Sequence, residues 1–218
     1  MKADLHVHSC YSKDGKSTPE QIVEAALERG LGCVATTDHN EFRAHLDLKD
    51  ETRIIVIPGE EVSSAEGHII ALGIDRHIQR GMSIRDTIEA IHEAGGIAIA
   101  AHPYRWWSGI GERNVIPDFD GVEARNGRSV RKDNVKSEKL ARDFGPVMTA
   151  GSDAHVPRFV GAGYIEVSDD CRTWQDVVNE IREGRVLGVD SESRKLLDTL
   201  KYGFKSITEW ILRGFKRM

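Results

Sequence analysis

The stretch Asp4-Leu5-His6-Val7-His8-Ser9 sets two imidazoles two residues apart, with apolar Leu5 and Val7 alternating between them and Asp4. Alternation with period two is a strand pattern, and it turns both imidazoles to one face. Two histidines so placed can grip one metal ion from two sides. Of the nine histidines in the chain, His6, His8, His39, His68, His102 and His155 fall at or beside a strand boundary, whereas His45, His77 and His92 fall in helical or polar connections. Carboxylates join the same edge: Asp14 in the loop after the first strand, Asp38 after the second, Glu61 after the third and Asp153 after a late one. Imidazoles and carboxylates converging from several strand ends make the donor set of a multinuclear metal site. For any one of them the alternative is a turn cap or a backbone hydrogen bond.

The elements that must position these groups alternate between strand and helix. Thr18, Pro19 and Gln21 form a capping-box start, and the helix they open carries Ile22, Ala25, Ala26 and Leu27 inward before Gly30 ends it. Cys33–Thr37 reads as a short buried strand followed by Asp38-His39. Arg53–Ile57 reads as the next strand, closed by Pro58-Gly59 ahead of Glu60-Glu61, and His68 opens the apolar run Ile69–Leu72. Ser83–Ala94 carries Ile84, Ile88 and Ile91 on one helical stripe, and Ile97–Ala101 is an apolar strand stopped by His102-Pro103. A weaker strand at Gly121–Ala124 and a charged helix at about Val130–Asp143 precede Val147–Ala150, which ends in Gly151-Ser152-Asp153-Ala154-His155. Thr173 caps a further helix with Asp176 in the box position, and Arg185–Val189 adds a last strand. Short apolar strands separated by helices imply parallel strands with crossovers, and about seven of them favour a distorted, closed barrel of α/β class over an open sheet. In such barrels the reactive groups sit on loops past the C-terminal ends of the strands.

Composition is consistent with one soluble barrel domain over residues 1–192: the chain has 218 residues, 39% hydrophobic and 30% charged. The net charge of −5 does not suggest a general nucleic-acid binder. It conceals an asymmetry, however, because residues 193–218 carry +5 and the rest −10. In that tail Leu197, Leu200, Phe204, Ile207 and Ile211 recur at helical spacing, with Lys201, Lys205, Arg213, Lys216 and Arg217 on the other faces. The expectation is an amphipathic C-terminal helix that closes the barrel or contacts nucleic acid, an anionic surface or a second copy. Cys10, Cys33 and Cys171 are odd in number and lack a Cys-x-x-Cys pair, so neither a disulfide framework nor a zinc finger is indicated. No leader or membrane span is expected, and a reducing cytoplasm is the expected compartment.

The motifs Asp4-Leu5-His6-Val7-His8-Ser9, Thr37-Asp38-His39, Pro58-Gly59-Glu60-Glu61, Ala101-His102-Pro103 and Gly151-Ser152-Asp153-Ala154-His155 together resemble, in order, those of the PHP (polymerase and histidinol phosphatase) family. The resemblance extends over about Met1 to Val189 and implies a TIM-like, PHP-type distorted (β/α)7 barrel with two or three divalent metal ions at its C-terminal mouth. It assigns His6, His8, Asp153 and a bridging Glu61 to the first metal. Asp14, His39 and His155 would hold the second, and His68 and His102 would complete a third with Glu61. Glu60 competes for the bridge, and the spacing after Pro58-Gly59 favours Glu61. In the histidinol-phosphate phosphatases a histidine stands where this chain has Asp14. The carboxylate looks more like the nucleotide-directed phosphoesterases and polymerase-associated members, and such a site should accept Mn²⁺ or Fe²⁺ alongside Zn²⁺.

The chemistry implied is hydrolysis of a phosphate ester, of a nucleotide, an oligonucleotide end or another small phosphate, by metal-activated hydroxide. Asp153, His155 and Glu61 carry it, with Asp38 orienting an imidazole. No serine or cysteine nucleophile is needed, so Cys10 reads as incidental. Arg105, Arg113, Arg125, Arg128 and Arg158 lie in segments after the donor strands, and Arg105 and Arg158 are the preferred phosphate contacts because each follows a donor by three residues. Trp106 or Trp107 could stack on a base or roof the site, or equally pack under its loop. The alternatives are a histidinol-phosphate phosphatase, nucleic-acid processing, with the basic tail delivering a polymer to the same site, and a metal-stabilised scaffold without turnover.

Overall fold

The computed structural model describes residues 1–106, 108–145 and 147–192. The expected helix from Ser193 onward, and Trp107, lie outside the described residues.

Strand β1 (Lys2–Val7) leads to helix α1 (Pro19–Glu28), β2 (Cys33–Thr36), the short α2 (Arg43–Asp47) and β3 (Ile55–Ser63). Then come β4 (His68–Leu72), α3 (Ile84–Glu93), β5 (Ile97–Ala100), β6 (Gly121–Asn126), α4 (Arg131–Phe144) and β7 (Val147–Gly151). The described chain ends with β8 (Gly163–Glu166), α5 (Trp174–Arg182) and β9 (Gly188–Ser191). One sheet holds all the strands in the order β7-β6-β5-β4-β3-β2-β1-β8-β9.

The sheet curls into a nearly closed barrel. The N-terminal half of β1 pairs with β8, at Lys2↔Glu166 and Ala3↔Ile165. Its C-terminal half is taken by the segment leaving β7: Asp153 N donates to His6 O at 2.7 Å, and His8 N donates to Ala154 O at 2.9 Å. Gly151 permits this seam, since a Cβ there would stand 2.3 Å from His6 Cβ.

The barrel is not wholly parallel. β1/β2, β2/β3, β5/β6 and β6/β7 are parallel, but β4 runs antiparallel to both β3 and β5. Only Ser64–Gly67 separate β3 from β4, too short for the helical crossover that a parallel pair needs. His68 therefore reaches the mouth from the start of its strand rather than the end. β3 also continues through Pro58, correcting the expected stop. Pro58 ends the register with β2, and beyond it Gly59 to Ser63 pair with β4. The two-residue period then separates the adjacent carboxylates. Glu61 turns to the mouth, while Glu60 accepts from His77 Nδ1 (2.9 Å) and Ile78 N (3.2 Å).

Both capping boxes, at Thr18 and Thr173, form as expected, and α3 buries Ile84, Ile88 and Ile91. The barrel interior holds Leu5, Ile57, Ile70, Leu72, Ile97 and Ile99 in one cluster with Val177, Val178 and Ile181 of α5. That helix covers the end of the barrel away from the histidines. Each such side chain contributes roughly 1.5–3 kcal/mol on burial, and the packed floor holds the strand ends above it in register.

Candidate metal centre

His6 lies on β1 and His8 just beyond it. Both rings are buried, and their Nε2 atoms stand 3.0 Å apart. Their other nitrogens are committed. His6 Nδ1 lies 2.8 Å from Glu123 Oε1, a carboxylate that can only accept, so Nδ1 carries the hydrogen. His8 Nδ1 lies 3.2 Å from Ser12 Oγ. The hydroxyl hydrogen of Ser12 goes to Asp38 Oδ1 at 2.6 Å, so Ser12 accepts from His8, and also from His39 N at 3.0 Å. Two Nε2 lone pairs thus face each other, an arrangement that needs a cation between them, whether a proton or a metal.

Glu61 sits among five imidazoles. Its Oε1 is 2.8 Å from His68 Nδ1 and 2.9 Å from His102 Nε2. Its Oε2 is 2.9 Å from His39 Nδ1 and 3.4 Å from both His6 Nε2 and His8 Nε2. Asp153 completes the far side. Arg105 Nη1 reaches its Oδ2 at 2.7 Å, Asn126 Nδ2 donates to the same oxygen at 3.3 Å, and Arg128 Nη1 and His8 Nε2 each lie 3.5 Å from Oδ1. His155 donates Nδ1–H to the carbonyl of Asp153 (3.0 Å), which aims Nε2 at Asp14 Oδ2 (2.9 Å) and Arg128 Nη1 (3.0 Å). Asn40, His102 and Asp153 have positive φ (51°, 28° and 51°), a conformation costly for residues other than glycine and concentrated here at the mouth.

Charge balance follows from this geometry. Burial opposes protonation of His6, but Glu123, Glu61 and Asp153 overcome it and hold its pKa well above the ordinary value. Burial, with His155 and His39 nearby, pushes His8 well below its ordinary value. Burial and Arg105 pull His102 down to about 4. Burial would raise Glu61 and Asp153, yet the imidazoles around Glu61, and Arg105 with His6 beside Asp153, hold both well below the carboxylate range.

The residues present fit divalent cations. Besides the facing His6 and His8 lone pairs, His39 Nε2 and Asp14 Oδ1 are buried without a hydrogen-bond partner, and His39 Nδ1 has only its ion-pair contact with Glu61. Donor atoms in four groups lie within 4.8 Å of one another: His8, His39 and His155; His6, His8 and Glu61; His6, His102 and Asp153; and His39, Glu61 and His68. Eight of the nine residues expected as donors fall in these groups, and the ninth, Asp14, stands 2.9 Å from His155 Nε2. The grouping sets His68 beside His39, and His102 beside His6 and Asp153, although His68 and His102 both reach Glu61 Oε1.

Asp38 belongs to the site at one remove. It accepts from Ser9 N (2.7 Å), Ser9 Oγ (2.6 Å), Ser12 N (3.1 Å) and Ser12 Oγ (2.6 Å), and reaches His8 through Ser12. Arg105 is nearly buried and turned onto Asp153 and Asn126 (2.7 Å), so it steadies a carboxylate rather than waiting as an open phosphate fork. Arg158 is not brought into the ring: it is exposed, on a single helical turn, with its guanidinium over the ring of Phe159. Cys10 is exposed. Sequence reading missed Glu123, Asn126 and Ser12. The available signal at Glu123 was a lone carboxylate in a strand of small and apolar neighbours, which burial must pair. No helix among the described residues is long and apolar enough to cross a membrane.

A family model described as PHP-associated matches residues 131–186. The 5′-3′ exoribonuclease of Haemophilus influenzae is 37% identical, over 76% of this chain and 93% of the relative. This chain belongs to the PHP family. The uncharacterized protein MJ1587 of Methanocaldococcus jannaschii is 40% identical, over 58% of this chain and 82% of that protein. Among solved structures, a Bacteroides vulgatus two-domain protein containing a PHP-like metal-dependent phosphoesterase superposes with a TM-score of 0.70 at 21% identity, over 88% of this chain and 65% of that one. The lesion-specific endonuclease PfuEndoQ of Pyrococcus furiosus gives 0.68 at 16% identity, over 93% of this chain and 66% of that one. At these identities the two structures establish a shared fold, the TIM-like PHP barrel.

Proposed function

We propose that this PHP-family chain is a metal-dependent phosphoesterase that hydrolyses a phosphate ester of a nucleotide or an oligonucleotide end. The observation that carries the reading is the donor ring around Glu61, with His6 Nε2 and His8 Nε2 facing each other at 3.0 Å. His6, His8, Glu61 and Asp153 would hold one divalent ion, and Asp14, His39 and His155 a second. His68 and His102 would complete a third with Glu61. Bound there, Zn²⁺, Mn²⁺ or Fe²⁺ supplies an acidified water and a counter-charge for the phosphoryl oxygens.

The chain's own groups do the rest. Glu123 and Ser12 fix the hydrogens of His6 and His8 on Nδ1, leaving both Nε2 atoms as donors. Asp38 fixes Ser12. Arg105 and Asn126 hold Asp153 on one rotamer, and Arg128, beside Asp153 and His155, adds positive charge where an anionic ester would enter.

The carboxylate of Asp14 facing His155 supports a nucleotide-type substrate over histidinol phosphate. The exoribonuclease relative, covered over 93% of its length, favours a polymer end as a second substrate form. Metal analysis combined with a panel of mononucleotides, oligonucleotides and histidinol phosphate tests the proposal. Hydrolysis of nucleotides by Mn²⁺-loaded protein is expected. Absence of bound metal, or bound metal with no hydrolysis of any phosphate ester, contradicts it.

A further inference from the structure

Beside the donor ring lies a cleft of about 590 Å³ whose lining includes Ala65, Glu66, Pro103, Tyr104, Trp106 and Arg113. None of the nine donor residues lines it, but its walls are close neighbours of the donors. Pro103 follows His102, Ala65 and Glu66 form the turn between Ser63 and His68, and Arg105, which also lines the cleft, grips Asp153. The wall bearing Trp106 is pinned at several points. Arg105 N donates to His102 O (3.0 Å), Gly109 N to Arg105 O (2.8 Å), Gly111 N to Pro103 O (3.1 Å) and His68 N to Ser108 O (3.2 Å). The β3–β4 turn presses on the same wall, for a Cβ on Gly67 would stand 2.6 Å from Ile110 Cα.

On this fixed turn Trp106 is 65% exposed. The loop's own apolar anchor is Ile110, which is 1% exposed. A flat aromatic side chain held near a phosphate-directed centre, with Arg113, Glu66 and Glu112 lining the same cleft, matches the needs of one ligand part. That part is a planar, polar-edged heterocycle.

We infer that this cleft is a nucleobase subsite, in which Trp106 stacks on the base of a nucleotide whose phosphate lies at the donor ring. The inference rests on the phosphoesterase reading and adds to it that base-bearing substrates are selected over base-free sugar phosphates. Stacking tolerates all four bases, so the preference is for a base rather than for one base.

The test titrates the metal-loaded full chain calorimetrically with hydrolysis-resistant phosphonate analogues of adenosine 5′-monophosphate and of ribose 5-phosphate. Wild type is expected to bind the adenosine analogue about 5- to 150-fold tighter, the range that one base stacked on an aromatic ring contributes. Trp106→Ala should close that gap, and Trp106→Phe should keep most of it. Equal affinities in wild type, no binding of either analogue, or a gap that survives in Trp106→Ala overturns the subsite. Hydrolysis of p-nitrophenyl phosphate, which bears no base, reports on the phosphoesterase reading separately. A base preference without any hydrolysis keeps the subsite and removes the enzyme.

Discussion

His6 Nε2 and His8 Nε2 face each other at 3.0 Å, each ring having given its Nδ1 hydrogen elsewhere, to Glu123 and to Ser12. Without a metal, a proton on His6 satisfies the pair: Glu123, Glu61 and Asp153 raise His6 against its burial, while burial, with His155 and His39, lowers His8. A divalent ion held by His6 and His8 would take that proton's place. The geometry therefore couples metal binding to proton release.

Metal loading near neutral pH should expel the His6 proton. Calorimetric titration with Mn²⁺ in buffers of different ionisation enthalpy reads the release directly. Because the folded pKa of His6 lies above its ordinary 6.5, its protonation stabilises the metal-free protein fully below that value, and this contribution is lost as pH rises through the raised pKa. Apparent metal affinity should rise with pH over the same window and the proton release should fade. A pH-independent affinity would contradict the proton's place between the rings.

Ser12→Ala removes the acceptor that holds the His8 hydrogen on Nδ1 and also breaks the link to Asp38. Loss of such a supporting hydrogen bond typically costs about 10- to 100-fold in metal affinity, measurable by competition with a chelating dye. Unchanged affinity would mean that His8 is oriented by packing alone.

Arg105→Met leaves the Asp153 carboxylate buried without its closest cation, at 2.7 Å in the wild type. Removing one member of a buried pair costs about 3–5 kcal/mol, so denaturant unfolding in a chelator should show a loss of that order. Mn²⁺ should restore part of it by supplying a replacement cation at Asp153.

Gly151→Ala puts a Cβ 2.3 Å from His6 Cβ and 2.8 Å from His6 N, backbone that cannot step aside cheaply. Overpacking of this kind costs about 1–3 kcal/mol. The expected result is a lowered melting temperature together with weakened metal binding, since the displaced strand carries His6.

Much of the site was legible because strand ends write their chemistry locally. His6 and His8 announce themselves by period two, and His39, His102 and His155 by ending apolar runs. What was not legible depends on partners distant in the chain. Glu123 meets His6 across 117 residues, and Arg105 meets Asp153 across 48, so neither role has a local signature. Three residues of spacing placed Arg105 and Arg158 on equal terms, yet the turn at Pro157–Phe159 leaves Arg158 outside. The reversed β4 was hidden because a strand stopped before Pro58 leaves ten residues before His68, whereas β3 running on to Ser63 leaves four. β8 was missed because Gly163–Glu166 is short and flanked by glycine, and its pairing with β1 spans most of the described chain.

The central claim is that the donor ring hydrolyses phosphate esters. The most direct measurement compares phosphate release from nucleotides by Mn²⁺-loaded wild type, His8→Ala and Asp153→Ala, with metal content and folding recorded for each. Hydrolysis at this ring requires turnover in wild type and its abolition in both variants, accompanied by lost metal in folded protein. A full rate in either variant, or folded metal-loaded wild type that releases no phosphate, would contradict it.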